Sequence, residues 1–316
     1  MIILGDTMKK RIFILLLCIG MLLAVIMKSD TITEYIAKYF NNTPAIVVEK
    51  KNAYAKEANY EFVKHTDDFV PYNFQDLINI FYTVLDSGYE TFTFYCPVEY
   101  TDCANDIKKM EESKNGDILT TISNYVSPYN TFTLYNIHYD PTREVTINVT
   151  HLYNKEDIAK INKRIDELWG SLVTPDMTKE DIIYAFHDYI INHTKYDEEY
   201  EKAIKKKETP KHQASKANGP LFEGYGICSG YTDVMAIILD KLGIKNFKVA
   251  SSTHVWNAVY LNNKWVHLDL TWDDPVSEDH TVNNLLHKFF LIDTATLESF
   301  DIKDHSFDKS RYLELK

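Results

Sequence analysis

The chain opens on a charge-free run. Lys9, Lys10 and Arg11 precede Ile12 to Met27, where no residue is charged, and Lys28 closes the stretch. Its sixteen residues cover about 24 Å at helical rise, between a signal-peptide core and a helix spanning about 30 Å of hydrocarbon. The run is apolar on every side, no small-x-small cleavage site follows it, and its basic flank comes first. Residues 1–30 are therefore expected to be a single-pass membrane anchor, with the C-terminal part extracellular; secretion after signal cleavage is the alternative. Cys18 reads as an apolar membrane residue, because leucines rather than a small residue precede it. Residues 31–55 are polar, carry the turn Asn41-Asn42-Thr43-Pro44, and read as a stalk.

Two periodicities alternate beyond the stalk. Leu77, Ile78, Ile80, Phe81, Val84 and Leu85 recur at helical spacing and Ser87-Gly88 ends the pattern. Thr91–Cys96, Thr131–Asn136 and Glu144–Val149 alternate as strands do. Residues 56–150 thus predict an α+β N-terminal domain, without a charged or thiol cluster at catalytic spacing. In 151–316, the spacing predicts helices from about 155 to 169 and from Asp176 through Ile191. A polar loop follows, with Lys202, Lys205, Lys206, Lys207, Lys211 and Lys216, read as a solvated segment or as an attractor for acidic substrate.

Composition narrows the class. The 316 residues hold 34 Lys+Arg against 46 Asp+Glu, a net charge of -12, which excludes the basic face that nucleic acid requires. Ten glycines, nine prolines and 13% aromatics exclude low-complexity classes, and four cysteines exclude a disulfide scaffold. Cys96 and Cys103 form either a local disulfide or two buried thiols; their spacing does not decide.

Cys228 stands out. It lies in Gly224-Tyr225-Gly226-Ile227-Cys228-Ser229-Gly230-Tyr231, and Val234, Ile237, Ile238 and Leu242 follow at helical spacing up to Gly243. A cysteine at a helix N-terminus, flanked by glycines, sits where negative charge is favoured. Downstream, His254–Tyr260 and Lys264–Leu270 read as two strands around Asn262-Asn263, residues that tolerate a tight hairpin turn. With those two in the loop, Asp269 faces Trp256, and His254 is its diagonal neighbour at about 7–8 Å. His267 lies roughly 13 Å from His254 along the strands, so the register selects His254 as the partner of Asp269. A nucleophilic cysteine needs such a base held by a carboxylate.

These residues resemble a known family. Gly226–Tyr231, His254-Val255-Trp256-Asn257 and Trp265-Val266-His267-Leu268-Asp269-Leu270-Thr271-Trp272-Asp273-Asp274-Pro275 are similar to the transglutaminase-like superfamily, above all to its bacterial cell-surface members. His187-Asp188-Tyr189 and Tyr196-Asp197 resemble that group's first core helix, so the likeness covers roughly 180–290. It implies a papain-like α+β core, a cysteine helix packed on an antiparallel sheet. It also implies Cys228 as nucleophile, His254 as base and acid, and Asp269 as orienting carboxylate. Thr232 and Val255 depart from the pattern, standing where alanine is common. Trp256, Trp272, Tyr231, Asn218 and Gln213 are candidates for the substrate groove, Gln213 and Asn218 as the oxyanion donor upstream of the cysteine.

The expected chemistry is thiol acyl transfer or hydrolysis on protein or peptide amides of the cell surface, through a thioester and without cofactor or metal. The alternative is a binding or scaffolding module of the envelope that keeps the fold without turnover. Zinc on Cys228, His254, His267 and Asp269 lacks the usual paired ligand spacings. Asp273, Asp274, Glu278 and Asp279 likewise lack calcium-loop spacing and read as solvated turn charges.

Overall fold

The computed structural model describes residues 6–28, 46–112, 118–274 and 286–316. Helix α1 (Asp6–Lys28) carries exposed apolar side chains along residues 12–23. Among the described residues no helix is long and apolar enough to cross a membrane. The anchor expected from residues 1–30 therefore finds no support in α1. Of the stalk, 31–45 lies outside the described residues. The rest is tied down, with Asn52 bonded to Asn130 and the Glu49 carbonyl accepting from Tyr89 Oη.

Helix α2 (Phe74–Asp86) begins where Asn73 caps the Asp76 N–H and ends at Ser87, after which Gly88 takes φ 71°. Strands β1 (Thr91–Tyr95), β2 (Phe132–Tyr139) and β3 (Glu144–His151) form an antiparallel sheet in the order β1-β3-β2. Between β1 and helix α3 (Cys103–Glu111) the chain closes a disulfide, Cys96–Cys103, with Cα atoms 6.1 Å apart. The Arg143 guanidinium donates to the carbonyls of Cys96, Pro97 and Tyr100 in that loop. Helix α4 (Ile118–Ser123) packs beside α2.

Helix α5 (Lys155–Leu172) starts at an Asn154 cap, and α6 (Lys179–His193) at a reciprocal Thr178–Asp181 capping box. Strand β4 (Lys195–Tyr196) pairs with β5 (Tyr225–Gly226). The lysine-rich stretch is not simply a loop. Glu198–Lys206 forms helix α7, because Lys202 and Lys205 stand three or four residues after Glu198, Glu199 and Glu201 and pair with them. Lys216 reaches Asp157. These local pairings offset the basic charge that was a candidate attractor for acidic substrate.

Helix α8 (Cys228–Lys241) packs on a second antiparallel sheet, β6 (Asn246–Ala250), β7 (Val255–Leu261) and β8 (Lys264–Leu268). Period-two alternation gives each face its own core. Val259, Val266 and Leu268 pack with Val234 and Ile238 of α8 and with Ile183 and Phe186 of α6. Phe247, Val249, Trp256 and Ala258 share a cluster with Tyr60, Phe81, Phe94 and Tyr125 of the first half.

The β7–β8 register is the expected one, with Leu261 opposite Lys264 and Ala258 opposite His267. Asn262 and Asn263 hold φ 51° and 63°, as a tight hairpin of this hand requires. Asn263→Val is expected to cost about 1–2 kcal/mol through left-handed strain, while Asn263→Gly stays within a few tenths; urea midpoints measure both.

Candidate active site

Cys228 is the first residue of α8, and a backbone contact holds that end. The Ile227 N–H donates to the Ala214 carbonyl, and Ser229 Oγ to the Ser215 carbonyl. The two chains approach so closely that a Cβ on Gly230 would lie 2.2 Å from the Ala214 oxygen. A buried network fixes the approaching segment. Ala217 N–H donates to Tyr153 Oη, which donates to Asp233 of α8, and Asp233 is paired with Lys248 of β6. The Cys228 thiol is half-buried, beside helix-start N–H groups that have no intrahelical acceptor.

His254 lies just before β7 and Asp269 just after β8. Their hydrogen bond, Nε2 to Oδ2, is 2.7 Å, and Cys228 is among the groups that raise the pKa of His254. Because Nε2 serves the carboxylate, Nδ1 is the nitrogen left for the thiol. Burial lowers the His254 pKa, but the charge and hydrogen bond of Asp269, with Cys228, outweigh it and raise the value to about 10. Burial raises the Asp269 pKa, yet His254, followed by His305, brings it down to about 2. Asp269 also caps helix α9 (Leu270–Asp273), its Oδ1 accepting from the N–H groups of Thr271 and Trp272.

Thr232 and Asn257 brace this geometry. Thr232 Oγ1 lies 2.7 Å from the Cys228 carbonyl and 3.0 Å from the Val255 carbonyl, so one hydroxyl touches both the cysteine helix and the histidine strand. Asn257 Nδ2 donates to the Thr232 carbonyl. The departure at Thr232 is thus a cross-link between α8 and β7, a role that its helical spacing does not reveal.

His305 is the residue the sequence reading missed. Its Nε2 lies 2.8 Å from Asp269 Oδ2, the same oxygen that holds His254. Its ring is buried, stacked on Phe289 at 5.1 Å and edge-on to Trp256, and its Nδ1 has no hydrogen-bond partner. No local motif marks it, since it reaches Asp269 from 36 residues downstream.

The other candidates separate. Trp272 borders His254 and His305, its ring centroid 6.4 Å from the first and 5.1 Å from the second. Trp256 is fully buried beneath His254 and donates Nε1–H to His267 Nδ1, while His267 Nε2 meets Thr294. Burial drives the His267 pKa down to about 3, so the ring is neutral and holds Trp256. Tyr231 is buried and donates to Asp274, whose own burial lifts its carboxyl to about 6 despite that bond. Gln213 is exposed and held by Glu223, and Asn218 donates to Asp157. Neither is bonded toward the thiol. Asp273 accepts from the Phe289 N–H and meets His187, and Glu278 and Asp279 lie outside the described residues. A cavity of about 700 Å³ is lined by Tyr54, Tyr129, Asp240 and others but not by Cys228, His254 or Asp269, so chemistry rather than volume locates the candidate site.

The two shifts set a pH window. The raised His254 pKa contributes stability that is complete below about 6.5 and lost as pH rises through about 10; the lowered Asp269 pKa contributes stability complete above about 3.8 and lost as pH falls through about 2. The stability gap between wild type and Asp269→Asn is therefore widest between about pH 4 and 6.5, measured by urea unfolding across pH. In Asp269→Asn the His254 titration followed by NMR moves from about 10 toward the ordinary 6.5.

A TGase of known structure is similar at 17% identity and TM-score 0.35, over 51% of this chain and 49% of that one. A protein from Cytophaga hutchinsonii assigned as a cysteine protease is similar at 11% and TM-score 0.26, over 44% of this chain and 61% of that one. The chain thus spans about half the length of the first and under two thirds of the second. No curated protein matches it. Residues 166–270, which hold Cys228, His254 and Asp269, match the family model of the transglutaminase-like superfamily, and this segment is a transglutaminase-like core.

Proposed function

We propose that the protein is a thiol-dependent acyltransferase or hydrolase acting on protein or peptide amides, with Cys228 as nucleophile, His254 as acid and base, and Asp269 as orienting carboxylate. The observation that carries this reading is the His254 imidazole held at 2.7 Å by the buried Asp269 carboxylate and electrostatically coupled to the half-buried Cys228 thiol at the start of α8. In the first step Sγ attacks the amide carbonyl carbon, and the N–H groups at the start of α8 face the developing oxyanion. His254 gives its proton to the departing amine as the C–N bond breaks, leaving a thioester. In the second step an amine or water attacks the thioester, His254 takes the attacking group's proton, and the C–S bond breaks to return the thiolate. Asp269 stays charged and holds the ring in the tautomer and orientation that both steps use.

The expected setting is outside the cytoplasm, reached through the uncharged N-terminal run as anchor or cleaved signal. The Cys96–Cys103 disulfide supports it, because such bonds persist in oxidising compartments. On this reading two thiols, Cys18 and Cys228, react in denatured, unreduced protein and four after reduction. Four before reduction would remove that support.

Incubation with a primary amine and a glutamine-containing peptide, read by mass spectrometry, distinguishes amine incorporation, deamidation and chain cleavage. Cys228→Ala is expected to abolish whichever product the wild type forms, and Asp269→Asn to lower kcat by about 10²–10⁴. Product formation undiminished in Cys228→Ala sinks the proposal.

A further inference from the structure

A second cluster adjoins the end of α9, where Asp273 meets His187. His187 and Asp188 come from α6 and His287 from the segment that returns past it; their ligand atoms all lie within 4.8 Å of one another. One oxygen joins them, Asp188 Oδ1 being 3.1 Å from His187 Nδ1 and 2.7 Å from His287 Nε2. The proton arrangement is informative. His187 Nε2 lies 3.1 Å from Asp273 Oδ2, both side chains fully buried, and the other Asp273 oxygen accepts the Phe289 N–H. With Nε2–H given to Asp273, a neutral His187 turns the lone pair of Nδ1 toward a carboxylate oxygen. Two acceptors in that position are reconciled either by a second proton on the ring or by a cation between them.

The surroundings favour a bound cation over a mobile proton. His287 is stacked on Tyr184 at 4.7 Å and 7°, with Phe290 edge-on to both histidines, so the donors are held in place. A buried carboxylate on the far nitrogen of a ligating histidine is the outer-shell arrangement that orients such rings. Side-chain exposures of 32% for Asp188 and 34% for His287 leave one side open to solvent. Two imidazoles and one carboxylate suit zinc-like ions rather than calcium or magnesium, and three protein ligands leave a fourth position for water.

We propose that His187, Asp188 and His287 bind one divalent transition-metal ion such as zinc, oriented by Asp273. Asp273 ends the short helix that Asp269 begins. The ion thereby clamps α6 and the His287 segment to α9, behind the triad, and touches no reacting atom. His254, Asp269 and His305 also meet in space, but their donors are engaged with one another inside the catalytic site.

Metal-free full-length protein is titrated with Zn²⁺ alone, with metal content after desalting and thermal midpoint as readouts. Wild type and Cys228→Ala are each expected to retain about one ion per chain and to gain thermal stability. Co²⁺ in its place gives a visible absorption spectrum of four-coordinate form. His287→Ala and Asp188→Asn, both partly exposed, fold as judged by circular dichroism yet lose retention, while Asp273→Asn weakens binding about 10–100-fold. Failure of wild type to retain Zn²⁺ overturns the proposal. So does retention that survives His287→Ala but disappears in Cys228→Ala or His305→Ala, which would assign the ion to the catalytic cluster.

Discussion

A carboxylate removed from water carries a desolvation penalty of several kcal/mol unless every lone pair finds a donor. Asp269 is such a group, 2% exposed, and four donors meet it: His254 and His305 on Oδ2, the N–H groups of Thr271 and Trp272 on Oδ1. Each donor constrains a different part of the chain. The two N–H groups require a helix to begin at residue 270, and His254 requires the hairpin register. His305 requires the C-terminal segment to fold back beneath Trp256 and Trp272. The transglutaminase-like core is built around satisfying one charge.

The short helix α9 distributes that constraint. Its first turn is capped by Asp269, its end offers Asp273 to His187 of α6, and the next residue, Asp274, accepts from Tyr231 of α8. Helix α8, helix α6 and Asp269 are thereby connected through five consecutive residues, 270–274. A displacement of α9 would disturb Asp269 and the placement of Cys228 together, which gives Asp273 and Asp274 a packing role rather than that of solvated turn charges.

Features set by neighbours in the chain were readable directly. Helical spacing located α2, α5, α6 and α8, alternation located β1 to β3, and Asn262-Asn263 specified the hairpin and hence the pairing of His254 with Asp269. Features created by competition among partners were not. The lysine run reads as a polar loop when its polarity alone is considered, and it is in part a helix because of acidic partners three and four residues away. Gln213 was a reasonable amide donor by position, but Glu223 engages it. Cys96 and Cys103 had a spacing compatible with bonded or free thiols, and the approach of β1 and α3 decided the matter. His305 and the His187–Asp273 pair span 36 and 86 residues, distances over which no local pattern survives.

The sequence by itself determined the elements and the kind of chemistry: a cysteine at a helix start, a histidine and an aspartate on one hairpin, an acidic chain behind an uncharged N-terminal run. These depend on backbone geometry that repeats every two or three to four residues. Only the tertiary structure decided which polar groups are buried together, that Asp269 is held by two histidines, that His267 stays neutral beside Trp256, and that His187 and His287 converge on Asp188. The reason is that desolvation and hydrogen-bond satisfaction belong to a place in space, and that place is made by segments far apart in the chain.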